Sequence, residues 1–310
     1  MRGRDSDVAD SVNSADSTDR DVPSNADPNN GVHDGPADLA SLVPALRTPD
    51  PSAGIVGEHI EVAFGDHTIL AGVDLDVRPG ELVALVGPNG CGKSTLLSVL
   101  SGMRKPRAGR VLLDGTDIAH THERDRAKLR SLVTQHNRVD TPFTVGEVVS
   151  MGRYPWLRTP QAVDSPRMIA EAIDRCDLSG IVNRPFPHLS GGQQARVSLA
   201  RALAQNTPIM MLDEPTAALD IRHQEQVLQV LTEHRRSGAT ILLVVHDLTL
   251  AAAYADRVAL MKDGHIVAYG ETREVMTETL LAYIYDHPVD IFERDGRLIV
   301  LPQRRLPIAD

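Results

Sequence analysis

The strongest chemical signal in the sequence is Gly87-Pro88-Asn89-Gly90-Cys91-Gly92-Lys93-Ser94-Thr95. It fits the pattern G-x-x-x-x-G-K-[ST]. The apolar run Leu82–Val86 before it reads as a buried strand and Ser94–Leu100 after it as a helix, which is the setting this pattern requires. Glycines let backbone N–H groups converge on phosphate oxygens, and a helix N-terminus adds favourable partial charge. Lys93 is placed to reach the β- and γ-phosphates of a nucleotide, and Ser94 to coordinate Mg2+. A second apolar run, Ile209-Met210-Met211-Leu212, ends in Asp213, a carboxylate expected at the edge of a buried strand, where it would hold Mg2+ directly or through water. Glu214 follows and is placed to polarise an attacking water as general base. Taken alone, the loop could be a mere tight turn and the acid pair structural; together they favour the catalytic reading.

A second glycine turn, Leu189-Ser190-Gly191-Gly192-Gln193, precedes a helical stretch over Gln194–Ala204 and offers a second anion-binding helix end. One nucleotide does not need two such ends from one subunit. Two copies packed head to tail would let Ser190–Gln193 of one cap the γ-phosphate held by Gly87–Thr95 of the other.

These residues need a scaffold. Glu58–Phe64 and Val73–Val77 alternate with period two and read as strands; Val111–Leu113, Ser131–Val133, Ile209–Leu212 and Ile241–Val245 add further strand signals. Helical patterns at Arg222–Arg236, and at Val145–Met151 and Arg167–Arg175 within a strand-poor stretch from about 138 to 189, complete an alternating α/β pattern with a helical insert. Val289–Phe292 and Leu298–Leu301 flank an Asp-Gly pair and read as a hairpin.

Composition narrows the class. The chain has 310 residues, a formal charge of −10 and two cysteines. That is no disulfide framework, and an acidic balance argues against nucleic acid as the main partner. Residues 1–52 hold ten Asp and four Arg, with neither Lys nor Glu and almost no large apolar groups; they read as a disordered tail. No run approaches the 18 or so apolar residues of a membrane helix, and Met1–Asp10 is not followed by the apolar run of a secretory signal. A soluble chain, or one peripheral to a membrane, is expected.

From about residue 55 to 301 the sequence resembles the nucleotide-binding subunit of an ATP-binding-cassette (ABC) transporter. The elements run in order: Phe64 at the adenine-stacking position, the phosphate loop at 87–95, Gln135 at the Q-loop, Leu189–Gln193 at the signature, Asp213-Glu214, Ala218-Leu219-Asp220 at the D-loop, and His246 at the switch position. The resemblance implies an α/β fold: a RecA-like P-loop NTPase core with an antiparallel β subdomain and a helical insert. It implies a domain over 53–301, with a helical subdomain near 138–189 and a C-terminal helix and hairpin near 271–301, then a tail over 302–310. It implies ATP and Mg2+ as ligands. Gln135 would touch Mg2+ or the lytic water, His246 would orient the γ-phosphate with Glu214, and Asp220 would contact the partner copy. Cys91 stands where the family more often has Ala or Ser. So near a helix N-terminus its thiol pKa is expected to be lowered, making it open to alkylation and protected by ATP. Cys176 is expected to be an inert core residue.

A single cassette without membrane spans implies separate membrane subunits, as in bacterial importers: a homodimer of this chain, two transmembrane permease subunits and a substrate-binding protein, with the cassette peripheral on the cytoplasmic side of the inner membrane. Pro142–Val149 and Met151–Trp156 look like the branch that imports iron–siderophores, hemin and cobalamin, and mark where the permease would dock. Tyr285–Ile291 and the hairpin are similar to the ATP-binding subunit of hemin importers. Ferric siderophore and cobalamin remain alternatives. A nucleotide-gated clamp would be expected to carry a long coiled coil, two cassettes or a basic surface. A non-hydrolysing regulator would not be expected to keep Glu214 and His246.

Overall fold

A computed structural model describes residues 49–134 and 142–304. Nearly all of the acidic N-terminal segment, Gln135 and the end of the C-terminal tail lie outside the described residues.

The first strands divide between two sheets. β1 (Ile55–Phe64) and β2 (His67–Val77) pair with β4 (Ala108–Leu113) and β5 (Thr116–Asp117) in an antiparallel sheet of order β2-β1-β4-β5. β3 (Leu82–Val86) instead enters a six-stranded sheet with β6 (Arg130–Val133), β7 (Ile209–Asp213), β8 (Thr240–Val244), β9 (Arg257–Lys262) and β10 (His265–Glu271), in the order β10-β9-β3-β8-β7-β6. Every pairing there is parallel except β10 on β9.

The central strands are apolar throughout because both faces are covered. Ala84, Met210, Leu243 and Leu260 face one core, and Leu85, Met211, Leu242 and Ala259 the other. The second core lies under the antiparallel sheet and helix α1 (Lys93–Leu100). The first is closed by helices: α3 (Val145–Ser150), α4 (Ser165–Arg175), α5 (Gly191–Gln205), α6 (Ile221–Arg236) and α9 (Glu278–Tyr285). A capping box starts α3: Glu147 N donates to Thr144 Oγ1 and Thr144 N to Glu147 Oε2.

The expected strand and helix positions are observed within a few residues. Beyond the expected elements the structure adds β5, β9, β10, α2 (Glu123–Leu129) and the helix Leu248–Tyr254. Helix α2 buries none of its residues, so it carries no apolar stripe to read. The run Val258–Met261 is short, and periodicity cannot separate such a run from a continuation of α7 (Leu248–Tyr254). The C-terminal hairpin, β11 (Val289–Arg294) and β12 (Arg297–Pro302), forms on the expected turn, with Asp295 at φ 51° and Gly296 at φ 76°. Val300 N donates to Thr249 Oγ1 (3.2 Å), tying β12 to α7.

Helix α6 carries a buried imidazole, His234, whose Nε2 finds no hydrogen-bond partner. Burial pushes its pKa down to about 4, with the Arg175 guanidinium adding to the effect. Below its ordinary value of about 6.5 the unfolded chain takes a proton that the native chain refuses. The His234 contribution is therefore complete above that pH and is lost as pH falls toward about 4. Urea unfolding midpoints should drop across this window, and His234→Leu should shallow the drop by up to about 1.4 kcal/mol per pH unit.

Candidate functional site

The phosphate loop is pinned from behind. Gly87 follows β3 and lies so close to β9 that a Cβ there would sit 2.2 Å from Met261 O. Gly92, the residue before α1, has φ 107°, and a Cβ would meet Leu70 Cδ2 at 2.8 Å. The loop between them holds its shape through Lys93, whose Nζ donates to Gly87 O (2.7 Å) and Pro88 O (2.9 Å). Lys93 is buried, so its charge must be met by oxygens inside the loop. Carbonyl oxygens serve here, and phosphate oxygens are the stronger partners the same ammonium can take.

Sheet order then brings the acids alongside. β8 lies between β3 and β7, and all three run parallel. Their C-terminal ends therefore open on one edge. Ser94 Oγ donates to Asp213 Oδ1 at 3.2 Å. Burial raises the Asp213 carboxyl above its ordinary range, with the Ser94 hydrogen bond opposing. An alcohol and a carboxylate, both hard oxygen donors, suit Mg2+, which takes one or two carboxylates plus water and substrate phosphates rather than a protein cage. Among the described residues no group of three or more His, Cys, Asp or Glu side chains could hold a metal ion.

Glu214 departs from the strand. Its φ is 50°, a left-handed conformation that costs a non-glycine residue roughly 1–3 kcal/mol and persists only where surroundings enforce it. Glu214 N donates to Val244 O (3.1 Å), fixing the turn against β8. The carboxylate turns inward to contact His246 Nε2 directly through Oε1. Lys93, Ser94, Asp213, Glu214 and His246 thus form one cluster.

The Ser190–Gln193 turn forms a second. Ser190 caps α5 in a reciprocal box: Gln193 N donates to Ser190 Oγ (3.3 Å) and Ser190 N to Gln193 Oε1 (3.1 Å). Gly191 and Gly192 face Ala218 and Leu219, and the turn lines one cavity with Asp220 and His223. Asp220 caps α6, accepting from His223 N (2.9 Å), and these His223 bonds hold its carboxyl below the ordinary range. A neighbouring cleft is lined by Gly191, Gln194, Ala218 and Glu214, so the two clusters border common space. Phe64, at the end of β1, is 49% exposed, which excludes a core role; the Arg104 guanidinium lies 4.5 Å over its ring. Gln135 falls outside the described residues.

Known proteins resemble this chain in sequence and fold. The ABC transporter family profile matches residues 70–217. The hemin import ATP-binding protein of Nocardia farcinica is 50% identical over 238 residues, covering 76% of this chain and 83% of that protein. The chain belongs to the ABC transporter ATP-binding family. The hemin import ATP-binding protein of Streptomyces coelicolor is 45% identical over 86% of this chain and 98% of its own length. The ferric enterobactin transport ATP-binding protein of Escherichia coli is 37% identical over 75% and 87%. A solved structure described as an ABC transporter of metal-chelate type, in an inward-facing conformation, superposes with TM-score 0.69 at 26% identity, over 81% of this chain and 98% of that one. A dimeric ABC cassette bound to ADP and phosphate superposes with TM-score 0.65 at 28% identity, over 71% and 99%. This cassette is accordingly an ABC-type transport ATPase, and it binds ATP.

One expectation is overturned. Cys91 is only 5% exposed, and burial pushes its thiol pKa up rather than down, outweighing the nearby Lys93 charge. The thiol packs inward, toward Gly87, so helix N-terminus stabilisation of a thiolate is lost to desolvation. Cys176 behaves as expected, buried in the core and pushed up to about 12. Two features of the site had no clear trace in the sequence: the left-handed backbone at Glu214 and the Arg104 cover on Phe64. Both depend on which strands become neighbours. In the native cassette a thiol probe at neutral pH should label neither cysteine on the timescale that labels both in denaturant; rapid native labelling of Cys91 would refute its burial.

Proposed function

We propose that this chain is the ATP-hydrolysing subunit of a hemin importer. The 50% identity to the hemin import protein of Nocardia farcinica, against 37% to the ferric enterobactin protein, is the observation that carries the cargo reading. Uptake of a ferric siderophore is the second reading, supported by that 37% relative.

In the proposed cycle two copies bind two ATP at a shared interface. Gly87–Thr95 of one copy and Ser190–Gln193 of the other would flank each nucleotide. Phe64 would stack on adenine. Lys93 would exchange its carbonyl partners Gly87 and Pro88 for β- and γ-phosphate oxygens. Ser94 and Asp213 would hold Mg2+, joined by Gln135; the ion supplies neutralisation of phosphate charge when bound. Glu214 would take the proton of the attacking water, and its contact with His246 would aim it and place the imidazole at the γ-phosphate. Asp220 would meet the partner copy. Two permease subunits would dock beside Met151–Trp156, with a substrate-binding protein delivering cargo. The cassette would sit peripherally at the cytoplasmic side of the membrane. Among the described residues no helix is long and apolar enough to cross a membrane.

Glu214→Gln should leave ATP binding intact, stabilise the dimer and lower turnover by about 10²–10⁴-fold; single-turnover hydrolysis after ATP binding measures it, and near-normal turnover would remove Glu214 from the base role. For the cargo, ATP hydrolysis is measured in the cassette reconstituted with permease and binding protein. Hemin should stimulate it selectively over a ferric siderophore and cobalamin. Selective stimulation by the siderophore would replace the cargo while leaving the ATPase reading in place.

A further inference from the structure

The 3-10 segment Met151–Trp156 is joined to the far end of the signature helix. Gly152 lies against the last turn of α5: a Cβ there would sit 2.2 Å from Arg201 O and 3.2 Å from Gln205 N. Arg153 is 4% exposed. Its Nη1 donates to Ala204 O (3.0 Å) and Gln205 O (3.2 Å), the last carbonyls of α5. Trp156 Nε1 donates to Gln205 O as well (2.5 Å). The remaining Arg153 donors go to Gln161 O (3.0 Å) and Ser165 Oγ (3.2 Å), at the start of α4. Between these gripping residues the same segment turns Tyr154 outward at 68% exposure, with Leu157 beyond it at 48%.

A buried guanidinium is costly unless its charge is met. Among the described residues no carboxylate comes within ion-pair distance of Arg153; Asp164 acts on its charge from farther off, and the negative end of α5 with its unsatisfied carbonyls meets the guanidinium directly. An exposed lysine or a neutral side chain would make a cheaper surface cap. The arrangement fits a joint: one face grips α5, the other faces outward.

We propose that Arg153, supported by Gly152 and Trp156, is a positioning residue that couples the permease-facing surface to the Ser190–Gln193 turn, using α5 as a rigid rod. The rod has 15 residues and so spans about 22 Å. Displacement of Tyr154 and Leu157 by a docked subunit would push on the C-terminal end of α5 and shift its N-terminal end against nucleotide. Arg153 acts without touching nucleotide. The proposal rests on the importer reading above.

The test uses the cassette alone and reconstituted with its permease in nanodiscs. Arg153→Gln removes the charge, Arg153→Lys keeps the charge without the planar fork, and Trp156→Phe removes one donor while keeping the ring. Folding is checked by urea unfolding, and the two milder variants keep the test alive where Arg153→Gln is unstable. Hydrolysis by the isolated cassette should stay within about two-fold of wild type, while permease-coupled hydrolysis and transport fall about ten-fold in Arg153→Gln. Arg153→Lys should recover part of the loss, and Trp156→Phe should lose least. Amide exchange at Ser190–Gln193 should respond to the permease in wild type and not in Arg153→Gln. Equal losses in the isolated and reconstituted states would make Arg153 a structural support and overturn the proposal, as would unchanged coupling in the folded variants. A wild-type cassette indifferent to the permease would overturn the importer reading itself, an outcome distinct from a coupled wild type with coupled variants.

Discussion

Leu85 pairs with Val244, and Leu212 with Leu243, in three adjacent parallel strands. The rest of the site depends on that register. It brings the phosphate loop, the Asp213-Glu214 step and the approach to His246 to one sheet edge, so that residues more than a hundred positions apart come within hydrogen-bond reach. Parallel strands shift side chains to the opposite face on a one-residue slip. Here both faces are packed with alternating sets of the same strands. A slip would bury the wrong volumes on both sides, and the cost of that error holds Ser94 opposite Asp213.

Buried cations are handled in one way at two places. Lys93 and Arg153 are both inside the protein, and both are met by backbone carbonyls rather than by carboxylates. Carbonyl dipoles satisfy the donors without the desolvation of a second full charge. They also leave each cation's partnership exchangeable or transmissible. At Lys93 that fits the proposed exchange of carbonyls for phosphate oxygens; at Arg153 it fits the proposed grip on a helix end.

Elsewhere the chain fixes its subdomains with polar ties across sheets. Arg257 on β9 lies 3.9 Å over the Tyr269 ring and within 3.6 Å of both Asp76 and Glu81, and the Tyr269 hydroxyl donates to Asp76 O. These contacts join the end of β2 to the central sheet. Phe64 projects from the same antiparallel layer, so the position of its ring relative to the phosphate loop is set by this joint and by the covalent step from β2 into β3.

Local patterns in the sequence were enough for the phosphate loop, the acid pair, the signature turn, most strands and the Asp-Gly hairpin, because each is written in neighbouring residues: glycines where backbone must approach oxygen, apolar runs where both faces are buried, a pair of glycines ahead of a helical stretch. The motif order was enough for the family. Tertiary structure alone decided the burial that raises the Cys91 thiol, the left-handed turn at Glu214 that Val244 holds, the guanidinium over Phe64, and the grip of Arg153 on Ala204 and Gln205. Helix α2 and strands β9 and β10 also emerged only there. These features are set by side chains and carbonyls distant in sequence, and their energies come from desolvation and close packing, which exist only once the chain has closed on itself.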